Sequence, residues 1–151
     1  MHNSISTLND LIEILKDGQE GFQAAAKDVE SGDLKALFNE YSLQRSSFAG
    51  ELQALVVSLG EPEPETGGSV AGALHRGWID LKSAVSTQDS HAILAECERG
   101  EDSAVAGYRA VLDDPDLPAD LRATVEKQFM GIKAAHDRVK ALRDSLAPKE
   151  A

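Results

Sequence analysis

The feature that most constrains this chain is the spacing of its apolar residues, which advance by fours and threes almost without interruption. The first stretch reads Leu8, Ile12, Leu15, Gln19, Phe22, Ala26 and Val29. The second reads Leu34, Phe38, Tyr41, Arg45, Phe48, Leu52, Leu55 and Leu59, with a parallel seam at Leu37, Gln44 and Glu51. A third runs through Leu94, Glu98, Glu101, Val105, Tyr108 and Leu112. The last runs through Leu121, Val125, Gln128, Ile132, Ala135, Val139, Leu142 and Leu146. Steps of four and three keep one stripe of an α-helix facing a neighbour. No segment alternates as a half-buried strand does.

Breakers divide these stripes. Ser31-Gly32-Asp33 ends the first, with Gly32 read as the C′ residue and Asp33 as the next N-cap. Residues 60–68 hold two prolines and two closing glycines, which no helix interior tolerates. Residues 86–90 and 113–118 form further breaks, with Pro118 placed to open a helix. The spacing therefore predicts an all-α chain with four long helices, at about 4–30, 33–59, 89–113 and 118–147. A shorter helix is expected at about 69–86. Short loops make each helix pair antiparallel. The long middle connection leaves two arrangements open: a full-length crossover of the ferritin-like kind, or a short helix folded over one bundle end.

Length and charge narrow the function classes. The 151 residues fit one domain, with an ordered core expected over 5–146. Fifteen basic against 26 acidic residues give a formal charge of −11. That sign argues against nucleic-acid binding and against docking on anionic lipid. No apolar run is long enough to cross a membrane, and the N-terminus lacks the pattern of a secretory signal. The single Cys97 cannot form an internal disulfide, so a cytoplasmic location is expected. Flanked by acidic residues, Cys97 is a poor nucleophile.

The informative residues are polar ones standing in apolar stripes. Gln19 with adjacent Glu20, Gln44, Glu51, Glu98, Glu101, Gln128 and His136 all fall on or beside a seam. Glu13, Glu30, Glu40 and Glu126 read as solvated. Buried carboxylates raise one another's pKa and cost several kcal/mol unless compensated. Three compensations are open: a bound cation, a shared proton, or Arg45 and Arg143. Glu20, Glu51, Glu98, Glu101 and His136 overlap the donor types of di-iron and di-manganese bundles, for which iron or manganese is the fitting metal. The chain departs from that pattern because it has no Glu-x-x-His: Ala54 follows Glu51 by three, and Lys133 precedes His136 by three. The rival expectation is a buried polar network of Gln19, Gln44, Glu98, Gln128 and His136 that fixes helix register without metal.

The middle segment carries His75, Arg76 and Trp78 beside Gly68, Gly72 and Ala73. Trp78 reads as an apolar anchor packed on the bundle; His75, Arg76 and Trp78 together are the candidate lid or dimer contact. Gly18 and Gly21 inside the first helix each cost about 1 kcal/mol against alanine, so close packing or a local distortion is expected there.

Four phrases, KDGQEGF (16–22), GSVAGALHRGWIDLK (68–82), ECERGEDSAVAGYR (96–109) and AAHDRVKALRD (134–144), carry a family likeness. Through them the chain resembles a bacterial family of uncharacterised four-helix-bundle proteins placed with the ferritin-like superfamily, over about residues 5–146. The resemblance implies a ferritin-like bundle and brings no activity with it. It carries the superfamily's di-iron ligands onto Glu51, Glu98, Glu101 and His136. Two functions are expected from these readings. One is a small, stress-associated, dimeric bundle holding iron or manganese. The other is a non-catalytic interaction bundle without metal.

Overall fold

In the computed structural model the described residues are 4–60, 78, 84 and 89–146, and they form four α-helices and no strand. We label them α1 (Ser4–Asp28), α2 (Gly32–Ser58), α3 (Ser90–Leu112) and α4 (Ala119–Ser145). The expected short helix at 69–86 apart from Trp78 and Ala84, most of the 60–68 loop, His75 and Arg76 lie outside the described residues.

The helix starts follow their side chains. Ser31 caps α2, its hydroxyl accepting from the Leu34 amide at 3.2 Å. The expected cap, Asp33, instead lies inside the first turn, where its charge faces the positive helix end. The cap moves two residues upstream because a serine hydroxyl already reaches the free amides there. Asp89 caps α3 by accepting from the His91 amide at 3.0 Å. The turn into α4 is tied by Arg122, which donates to the carbonyls of Leu112 and Asp114, each at 2.6 Å.

Cross-helix contacts fix the directions. Ser42 donates to the Gln19 carbonyl and Lys35 to the Ala26 carbonyl, so α1 and α2 are antiparallel. Ile14 packs on Gly107 while Trp78 lies between Gly21 and Gly100, so α1 and α3 are antiparallel too. Tyr108 meets Gln128 and Asp102 meets His136, which makes α3 and α4 antiparallel. It follows that α2 and α3 run the same way. The end of α2 and the start of α3 therefore lie at opposite ends of the helices.

The core divides into two apolar clusters. One centres on Leu8, Ile12, Leu15, Leu52, Val125 and Ile132. The other centres on Phe22, Phe38, Ile93, Leu94, Cys97 and Val139, with Trp78 packed against it. Each fully buried Leu, Ile or Phe contributes roughly 1.5–3 kcal/mol of burial. On α1 the change from one cluster to the other falls between Leu15 and Phe22, around Gly18. Arg45 and Glu101 stand beside that point.

Candidate functional site

Two polar centres lie along the helices, one enclosed and one at the edge. The enclosed centre is Arg45 of α2 against Glu101 of α3. Their side chains are 1% and 0% exposed. The guanidinium fork donates twice to the carboxylate, Nη1 to Oε1 at 2.5 Å and Nη2 to Oε2 at 2.6 Å. Arg45 Nε donates to Gln44 Oε1 at 3.2 Å, and the guanidinium carbon lies 5.4 Å from the centroid of the Phe22 ring. Gly18 makes the room: a Cβ there would lie 3.3 Å from Arg45 Nη1. A charge buried so deeply survives only when paired and hydrogen-bonded, and this pair satisfies both oxygens of Glu101.

A second set of hydrogen bonds runs through Tyr108 and Gln128. Tyr108 donates to Gln128 Oε1 at 2.8 Å. Burial pushes its phenol well above the ordinary tyrosine range, so it stays a donor. Gln128 Nε2 donates to the Phe48 carbonyl at 3.1 Å and to Glu51 Oε1 at 3.2 Å. Buried Cys97 is held as a neutral thiol, first by desolvation and then by Glu101 and Glu96. The same burial keeps it from acting as a nucleophile. Gln19 Oε1 is buried without a hydrogen-bond partner among the described residues.

The edge centre is Glu98, Asp102 and His136. One ligand atom from each lies within 4.8 Å of the others. Glu98 and Asp102 are one turn apart on α3, and His136 comes from α4. His136 Nε2 lies 2.5 Å from Asp102 Oδ1, and Nδ1 lies 3.0 Å from Asp137 Oδ1. Arg143 Nη1 lies 2.6 Å from Glu98 Oε2 and supplies its counter-charge. Partial burial of His136 opposes its protonation, yet Asp137 and then Asp102 outweigh it and raise the imidazole pKa.

That raised value sets a pH dependence. The folded state holds the proton more tightly than the unfolded chain. The stabilisation is complete below the ordinary histidine value of about 6.5 and is lost as pH rises through the folded value. Urea midpoints of the wild type and His136→Gln should therefore lie further apart at pH 6 than at pH 8. Equal separations would contradict the pairing with Asp137 and Asp102.

The five residues singled out as metal donors do not meet at one point. Glu98 and His136 come together. Glu101 is taken by Arg45, Glu51 is exposed and bonded by Gln128, and Glu20 is exposed on α1. Among the amides, Gln44 bonds Arg45 of the enclosed centre and Gln128 bonds Tyr108 and Glu51. Asp102 was the residue the seams did not mark. Its spacing of four from Glu98 is the signal that finds it. Trp78 sits half-buried in the second cluster, edge-on to Phe22 at 5.3 Å between ring centroids.

A family model described as a domain of unknown function (DUF2383) matches residues 3–114, the span of α1, α2 and α3. A search of the curated proteins finds no match.

Proposed function

The chain belongs to the DUF2383 family of domains of unknown function, and from that premise we propose that it is a ferritin-like helical module holding one divalent metal ion between α3 and α4. Glu98, Asp102 and His136 would be the ligands, with iron(II) or manganese(II) the fitting ions for two carboxylates and one imidazole. The observation that carries this reading is the convergence of three donor atoms within 4.8 Å while Asp137 occupies the other ring nitrogen of His136. A carboxylate on the second nitrogen orients the imidazole and raises its basicity as a ligand. Glu98 Oε2 is paired with Arg143 at 2.6 Å, so an arriving cation would have to displace that guanidinium. The parallel course of α2 and α3 supports the ferritin-like arrangement, since a simple up-down bundle alternates.

The binding test uses protein without a histidine tag, stripped of metal and titrated with manganese(II) or, without oxygen, iron(II). One ion per chain is expected, bound more tightly as pH rises because His136 must lose its proton. Asp102→Asn and His136→Gln should each lower affinity by at least about tenfold, whereas Glu20→Gln should not. Absence of stoichiometric binding would overturn the proposal.

A second reading has its own support. The Arg45 guanidinium itself supplies the counter-charge to Glu101 inside the bundle. On that reading the protein is a non-catalytic interaction bundle whose polar network fixes helix register.

A further inference from the structure

We propose that the cleft between α2 and α4 is the contact surface for a second copy of this chain. The four helices do not close equally on all sides. Near Gly131, α2 and α4 touch through Phe48 and Gln44. Towards the start of α2 and the end of α4 they part around an open groove of about 810 Å³. Leu37 and Leu142 lie in that groove, with Leu43 at its side. Leu43 is 72% exposed, the same as Met130 further along α4. Leu43 next to the half-buried Leu37 and Leu142 makes an apolar strip along one side of the groove.

The charges say which partner fits. Glu40 and Asp33 line the groove from α2, and Arg138 lines it from α4. None of the three forms an ion pair within the described residues. A two-fold contact presents the same patch twice, so it has to be complementary to itself. This patch carries a knob, Leu43, next to a hollow, and acidic groups opposite a basic one. A chain with a net charge of −11 repels its own copies over most of its surface. This cleft sets Arg138 among its acidic groups, so a two-fold contact pairs each copy's Arg138 with a carboxylate of the other. Leu43 of each copy would enter the groove of the other, with Glu40 facing the partner's Arg138.

Sedimentation of the full chain from about 1 μM to several hundred μM tests this, since weak dimers dissociate in that range. A concentration-dependent dimer is expected. Leu43→Asp should raise the dissociation constant more than tenfold, with the helical circular dichroism and the melting temperature of the dilute monomer unchanged because the side chain is exposed. Glu40→Arg and Arg138→Glu should each weaken the dimer about tenfold, and the double variant should return to within about threefold of wild type. A monomer at every concentration would assign the groove to some other occupant and overturn the proposal. So would a dimer indifferent to Leu43→Asp, or a double variant as weak as either single one.

Discussion

Arg45→Met should destabilise the protein by about 3–5 kcal/mol, because it leaves the fully enclosed Glu101 without a counter-charge. Domains of this size have roughly 5–15 kcal/mol in total, so the loss is a large share. The melting temperature should fall by on the order of 10 °C. The pair variant Arg45→Met with Glu101→Leu is expected to recover most of that loss. Taking two charges out of water costs several kcal/mol per ion, and well-packed apolar replacements avoid that cost. Urea titration of the two single variants and the double closes the cycle. A single variant costing under about 1 kcal/mol, or a double no better than the singles, would mean that water reaches Glu101.

Alanine at Gly100 should destabilise, although alanine in a helix interior is ordinarily favoured by about 1 kcal/mol. The new Cβ would clash with Cε2 of the Trp78 ring. At Gly21, on the opposite side, it would lie 2.5 Å from Cε3. The indole is thus clamped between two helix backbones that lack side chains at the points of contact. Overpacking of this kind costs roughly 1–3 kcal/mol, unless the ring is expelled. Expulsion has its own signature, a red shift in the emission of the one tryptophan. Gly50→Ala is the control: nothing lies within 4 Å of a Cβ there, so it should stabilise. Adding Trp78→Ala to Gly100→Ala should remove the clash, so that the two changes are far from additive. Stabilisation by Gly100→Ala with unchanged emission would contradict the clamp.

These two sites show what the sequence makes legible. The helices were legible because a period near 3.6 is a local property of the chain, and α1, α2, α3 and α4 each end within about two residues of the expected positions. The cost of Gly18 and Gly21 was legible; its compensation was not. Arg45 and Trp78, the side chains that fill the space those glycines leave, come from elsewhere in the chain. Glu98 and Glu101 were marked together because three residues put them on one face. That face is wide enough for them to diverge, Glu101 to Arg45 on α2 and Glu98 to Arg143 on α4. Arg45 and Arg143 were named as compensators, but which served which carboxylate depends on how α2 and α4 sit against α3. Glu20 was marked through its neighbour Gln19, and one residue along a helix turns a side chain by about 100°, enough to carry it into water. Asp102 lies one step beyond Glu101 and entered the edge centre for the same reason.

The shared direction of α2 and α3 has a kinetic consequence. Each helical hairpin, α1 with α2 and α3 with α4, closes over a turn of a few residues and can form early from near neighbours. Bringing the two hairpins together has to close a loop of roughly 30 residues. Each doubling of loop length adds only about 0.6 kcal/mol of entropy, so the longer loop adds on the order of 1–2 kcal/mol. Folding should then proceed by docking two preformed halves, and the halves meet where Arg45 finds Glu101. A desolvated ion pair with strict fork geometry gains little until it is fully assembled, so it discriminates against misaligned encounters at that late step.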